Sequence, residues 1–186
     1  MAIVETAASD DDAAALDKLL WQVLWEPLGL PRDVRRSLAL EGPELELLAR
    51  EQGRLVGGLV AVRRPGGATE LRHLAVAAPA QGRGVGRVLV TELCRSAAGE
   101  GSPRLQVIAR SSSAGFFRAL GFRRLPGLAP THPAFAAHGI SFERMEKALQ
   151  GDAAAERPAR GPKAGSSGAQ APVLRSFRGR RSGRRA

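Results

Sequence analysis

The chain of 186 residues has no tyrosine, one cysteine and two tryptophans. A single thiol, Cys94, excludes an internal disulfide, and the three histidines form no Cys/His cluster at metal-ligand spacing, so no metal is expected. No apolar run approaches the ~18 residues of a membrane span. Met1 to Asp12 is acidic and lacks the basic start and apolar core of a secretory signal. These absences set the expectation of a cytoplasmic protein without membrane contact. The missing tyrosine also removes the phenol, a common proton donor, from every site the chain can build.

The apolar content, 44%, is ordinary for a soluble domain with a real core. The formal net charge is +10, unevenly spread: residues 151–186 hold nine of the 28 Lys/Arg and two of the 18 Asp/Glu. This last segment is rich in Gly, Ala, Pro, Ser and Arg. It has too little apolar surface to offset the entropy of ordering and is expected to be a disordered basic tail behind one domain, residues 1–150. Arg175, Arg178, Arg180, Arg181, Arg184 and Arg185 surround Phe177 there, a pattern that contacts nucleic-acid phosphates weakly and without sequence preference.

Within the domain, Ala2 to Thr6 reads as a short strand. Ser9 and the acids Asp10 to Asp12 suit the start of a helix whose apolar face includes Leu16, Leu19, Leu20, Val23 and Leu24, with Trp21 and Trp25 beside it. Pro27, Gly29 and Pro31 end it, and 32–40 reads as a second short helix. Two apolar runs, 44–51 and 54–63, joined by Gln52-Gly53, form a predicted hairpin. A strand is expected over 69–77. A helix follows over 85–97, with Val85, Val88, Leu89, Leu93 and Ala97 as its buried stripe. Leu105 to Ala109 is a further strand. Ser111 to Ser113 are placed to cap a helix with Phe116, Phe117 and Leu120 on its core face, stopped by Gly121. The segment 127–139, with His132 and His138, reads as loop, and 140–148 as the closing strand.

Between the strand 69–77 and its following helix stands Gln81-Gly82-Arg83-Gly84-Val85-Gly86. Glycines at a strand-to-helix turn let backbone approach a ligand, and the first helical turn presents N–H groups without intrahelical partners. That is an anion site suited to a pyrophosphate. No Lys-Ser or Lys-Thr follows, which excludes a P-loop, and GxGxG is not the GxGxxG of a dinucleotide fold. The hexapeptide does fit Q/R-x-x-G-x-G/A. With Glu70 to Val76 before it, Leu105 to Ala109, Ala114 to Phe122 and Glu143 to Lys147 after it, the chain resembles the GNAT superfamily of acetyl-CoA-dependent N-acetyltransferases over roughly residues 1–150.

The resemblance implies an α/β (α+β) fold: a mixed, mostly antiparallel central sheet of about six to seven strands flanked by helices, splayed into a V between the fourth and fifth strands. It implies acetyl-CoA as co-substrate, gripped by backbone groups of Leu74, Ala75 and Val76 and by Gln81, Gly82, Arg83, Gly84, Val85, Gly86 and Arg87, with Ser112 and Phe117 near the pantetheine arm. A primary amine of an unidentified acceptor attacks the thioester directly, and the Val76 N–H polarises its oxygen. The incoming ammonium must lose a proton. His73, Glu70 and a water chain are the candidate routes. Strict alternation puts the two side chains on opposite faces of their strand; a bulge, common in this strand of the superfamily, would change that parity and leaves open which of them faces the cleft. Many relatives protonate the leaving thiolate with a tyrosine; here Phe117 stands at that position. The alternative is therefore a catalytically weak or inactive acetyl-CoA-binding module. Members of the superfamily are often monomers or dimers, and a monomer or homodimer is expected here.

Overall fold

A computed structural model describes residues 1–38, 41–131 and 133–149. His132 and the basic tail, 151–186, lie outside the described residues. The elements, in order, are β1 (Ile3–Thr6), α1 (Asp10–Leu20), α2 (Val34–Ser37), β2 (Glu44–Glu51), β3 (Arg54–Arg63), β4 (Thr69–Val76), α3 (Val85–Gly99), β5 (Arg104–Arg110), α4 (Ala114–Ala119), β6 (Arg123–Arg124), α5 (Pro133–Ala136) and β7 (Phe142–Ala148). The strands form one mixed seven-stranded sheet of order β1-β2-β3-β4-β5-β7-β6, antiparallel throughout except for the β4–β5 pair. Among the described residues no helix is long and apolar enough to cross a membrane.

The period-2 strands feed two cores. One face of the sheet carries Leu47, Leu59, Ala61 and Leu71 against Val85, Leu89 and Leu93 of α3 and Phe117 of α4. The other carries Leu48, Val60 and Ala75 against Leu16 and Leu20 of α1 and against Trp25. Ser9 caps α1 by accepting from the Asp12 N–H at 3.2 Å, and the three aspartates of the first turn match the positive end of the helix. Beyond Leu20 the helix widens into a π turn, Trp21–Trp25, before Gly29 stops it with φ +65°. At the hairpin, Gln52 and Gly53 both take positive φ, as a two-residue turn between antiparallel strands demands.

Gly58 marks where α1 lies closest to the sheet. A Cβ there overlaps Leu16 Cδ1 and sits 3.1 Å from the Leu47 carbonyl oxygen, and Leu16 is fully buried. Gly58→Ala is expected to cost about 1–3 kcal/mol through overpacking. Urea unfolding of the variant checks this; a midpoint equal to wild type would show that α1 yields freely.

Four local expectations differ. Val88 is 41% exposed, because the helical repeat carries it around the side of α3; Val90 takes its place in the buried stripe. The second short helix is limited to Val34–Ser37. Ser111–Ser113 form a 3-10 turn, and Ser113 precedes α4 without a side-chain capping bond. The segment 127–139 contains α5, whose Phe135 is buried in the α1-side core.

Candidate active site

β4 and β5 are paired only at Thr69–Leu105, Glu70–Gln106 and Leu71–Val107. β4 runs on to Val76 and β5 to Arg110 without further pairing, so the strands part after Leu71. On its other edge β4 is paired with β3, with one irregularity: Val60 faces His73 while Ala61 faces Leu71. Arg72 is thus the extra residue of a β-bulge. Directly opposed residues share a face of the sheet, so Glu70 (opposite Val62) and His73 (opposite Val60) both lie on the α1 side. Strict alternation would have separated them; the bulge unites them.

The ladder also fixes where backbone groups point. The Ala77 N–H donates to the Val56 oxygen at 2.9 Å. By alternation along an antiparallel edge, Val76 and Leu74 then turn their N–H and C=O groups away from β3, toward the gap. Ala75 turns its own toward β3 instead, and its oxygen lies 3.3 Å from a Cβ built on Gly57. Of the three residues expected to offer backbone groups to a ligand, Leu74 and Val76 turn theirs toward the gap, and Ala75 turns its own to β3.

A cavity of about 570 Å³ fills the gap. Leu74, Val107, Ala109, Ser113, Phe116 and Phe117 line it on the α3–α4 side, and Trp25, Glu70, His73, Arg110, Phe135 and Phe142 on the α1 side. Trp25 is 2% exposed and meets the His73 ring edge-on at 5.0 Å. It is therefore both a core residue and a wall of the site. A second cavity of about 580 Å³ lies under α1 and α2, lined by Asp17, Arg35, Glu44, Glu46, Arg72 and His73. Arg35 joins its carboxylates, bonding Asp17, Glu44 at 2.7 Å and Glu46 at 2.5 Å. His73 borders both cavities.

At the Val76 end stands the glycine turn. Gly82 and Gly84 have φ +72° and +86°, and a Cβ on either meets nothing within 4 Å. The turn is left-handed and open on its outer side. Gly86 is glycine for a different reason: its Cβ would stand 3.3 Å from the Phe116 ring and 3.7 Å from Val76 Cγ2, so it sets how closely α3 approaches α4 and β4. Gln81 Nε2 donates to the Val76 oxygen at 2.9 Å, tying the turn to the strand. Arg83 pairs with Glu51 at 2.8 Å, and Arg87 is exposed.

The charges in the gap are unequal in kind. Burial, then the cationic Arg72 and Arg35, push His73 down to about 3, so its ring is neutral at physiological pH. The Glu70 carboxylate receives Arg72 at 2.7 Å and lies 3.6 Å from Arg64. Arg72 also donates to the Leu38 oxygen, while its buried Nε finds no partner among the described residues. Cys94, half-buried in α3, has its thiol pushed up by burial, consistent with an inert packed side chain.

The family model for the acetyltransferase (GNAT) family matches residues 11–122. The chain belongs to the GNAT family. Solved structures agree in fold. A putative N-acetyltransferase from Lactobacillus plantarum superposes with TM-score 0.69 at 18% identity, covering 80% of this chain and 99% of that one. The ribosomal-protein-S18-alanine N-acetyltransferase of Escherichia coli gives 0.63 at 17%, covering 86% and 99%. An aminoglycoside 6'-N-acetyltransferase complexed with coenzyme A gives 0.63 at 18%, covering 84% and 99%. No curated protein matches the sequence.

Within this GNAT domain Leu74, Glu70, His73 and Phe117 line one cavity, while Val76 and the glycine turn stand together beside it without lining it. Ser112 is exposed and does not line the cavity; its neighbour Ser113 does. Phe117 is 5% exposed, edge-on to Phe116 and Phe122 at 5.1 and 5.3 Å. His138 does not line the cavity. The sequence left a bulge in β4 open without placing it at Arg72, and it did not mark Arg110 as a wall or α5 as a cover. Of these only α5 had a signal, the large apolar Phe135 among alanines just after Pro133.

Proposed function

We propose that the GNAT domain is a cytoplasmic N-acetyltransferase that moves the acetyl group of acetyl-CoA to a primary amine by direct attack. The observation that carries this reading is the parting of β4 from β5 after Leu71, which turns the backbone groups of Leu74 and Val76 toward the gap, beside a cavity lined by Leu74 and by Phe116, the ring that Gly86 of the glycine turn approaches. The residues present fit the co-substrate. Gly82 and Gly84 leave open space where side chains would stand, and the first turn of α3 supplies N–H donors for a pyrophosphate. Leu74 and Val76 offer the backbone groups that hold an extended amide-bearing arm, and the apolar Phe116–Phe117 wall covers it.

Bound acetyl-CoA supplies an acetyl thioester already activated for acyl transfer. The chain's part is to orient, polarise and move protons. The Val76 N–H, turned toward the gap, would donate to the thioester oxygen as negative charge develops there. Glu70 takes the proton of the incoming ammonium, directly or through one water. His73 is a poor competitor: taking the proton would put an imidazolium beside Trp25 and facing Arg72 and Arg35, whereas Glu70 becomes neutral when it takes one. It serves instead as a neutral polar wall beside Trp25. No acid replaces the tyrosine at Phe117. A thiol of pKa ~8.5 leaves as thiolate without much help near neutral pH, so turnover does not depend on one.

Calorimetry with acetyl-CoA tests the grip. Wild type is expected to bind, and Gly84→Asp to bind about 100-fold more weakly or not at all. The new carboxylate meets the pyrophosphate, and the left-handed backbone is strained by any side chain. Absence of binding to wild type would overturn the reading. Binding without turnover of any amine would favour the inactive acetyl-CoA module.

A further inference from the structure

Six arginines with described side chains are half-buried in this domain: Arg35, Arg50, Arg63, Arg64, Arg72 and Arg110. The first five each stand against a carboxylate: Asp17, Glu5, Glu100 and Glu70, the last shared by Arg64 and Arg72. Arg110 does not. Among the described residues its guanidinium donates to the Leu24 carbonyl oxygen at 2.7 Å and stands 5.9 Å from the Phe135 ring, and no acid pairs with it. Burial alone pushes its pKa down, with no acid opposing the shift. A guanidinium stays charged in a protein, and taking it from water without an anionic partner is costly. A fold that pairs every comparable arginine has left this one for something else.

Its position says what. Arg110 lies on β5 beyond Val107, the last residue paired with β4, on the same face as Glu70 and His73. It lines the acceptor half of the cavity together with Trp25, Phe135 and Phe142. Arg64 and Arg72 line the same cavity, whose one lining carboxylate, Glu70, is engaged by both. The acceptor end is thus cationic in balance and aromatic in its walls.

We propose that the acceptor is an amine that also carries a carboxylate, an amino acid with an apolar body, and that Arg110 receives the carboxylate. The guanidinium fork matches a carboxylate bidentately and stays anchored through its bond to Leu24. The amine is then held toward Glu70 and the aromatic walls take the apolar part. This rests on the transferase reading above, and the two fail differently.

The test offers the full chain, with acetyl-CoA, a panel of apolar α- and ω-amino acids and their carboxamides, following thiol release and, with CoA bound, calorimetry. At least one acid is expected to be used about 10- to 100-fold better than its amide, the range of a charged hydrogen-bonded contact. Arg110→Gln should bring that ratio toward one, and Arg110→Lys should restore part of it. The ratio separates lost recognition from lost folding, since both substrates meet the same protein. Acids and amides used equally well overturn the carboxylate inference and leave the transferase standing. Selective binding of acids through Arg110 without turnover supports the inference and sinks the transferase. Binding and use of neither class overturn it.

Discussion

Glu70→Gln is expected to lower kcat by about 10²–10⁴, the usual contribution of a positioned base, with a much smaller change in the KM for acetyl-CoA. The argument is geometric first. The Arg72 bulge turns Glu70 to the same face as His73, into the cavity where β4 leaves β5. It is chemical second, because protonating the neighbouring imidazole, held at about 3, would create a buried cation facing Arg72 and Arg35, whereas protonating Glu70 removes a charge. His73→Gln should therefore cost far less in kcat than Glu70→Gln. Glutamine keeps the shape and a hydrogen-bond acceptor but unpairs Arg72 and Arg64, so folding is checked by thermal melting. The decisive readout is a series of amine acceptors of falling basicity. The defect of Glu70→Gln should shrink toward amines that are mostly unprotonated at the assay pH, since these need no base. A defect of constant size across the series would assign Glu70 to structure and leave solvent as the proton acceptor.

The second large effect concerns stability in acid. An unfolded chain protonates His73 below about 6.5, whereas the folded protein resists down to about 3. Between those values the unfolded state binds the extra proton, so stability is full above 6.5 and declines as pH falls toward 3. At about 1.4 kcal/mol per pH unit, the decline from this residue approaches roughly 5 kcal/mol at the acid end. The cost arises because an imidazolium there would sit desolvated beside Trp25, facing Arg72 and Arg35. His73→Gln removes the titration. Urea unfolding at pH 4 and pH 7 should show the variant losing several kcal/mol less than wild type between the two. Equal losses would mean that water reaches the ring and that it titrates normally.

The elements of the fold were readable in the chain because their periods are strong. The apolar runs of β2 to β5 supply residues to the cores on both faces of the sheet, and the helical recurrence of Val85, Leu89, Leu93 and Ala97 points one face of α3 at its core. The glycine turn was readable because positive φ demands glycine and the residues around it announce a strand and a helix. Phe117 was readable as an absence, since a chain without tyrosine cannot place one there. The face of Glu70 and His73 was not. A bulge is a pairing error of one residue, and the arginine that occupies it carries no local mark of the irregularity. Arg110 was equally silent. One arginine at a strand end reads like a solvated charge until Leu24, Phe135 and the lack of a facing acid are seen together. α5 escaped because a four-residue helix has too little length to show a period.

Among the described residues three pairs, Thr69–Leu105 to Leu71–Val107, make the strand pairing that joins the four-stranded N-terminal part of the sheet to the three-stranded C-terminal part. Past them the seam is held by side chains, and the amides of Leu74 and Val76 face the gap. A pantetheine arm laid into that seam would act as the missing length of strand, lending each half of the sheet the edge it lacks. On this view the co-substrate is also a splint: with it bound, amide hydrogens on both sides of the opening should exchange with solvent more slowly, and the two halves should unfold as one cooperative body.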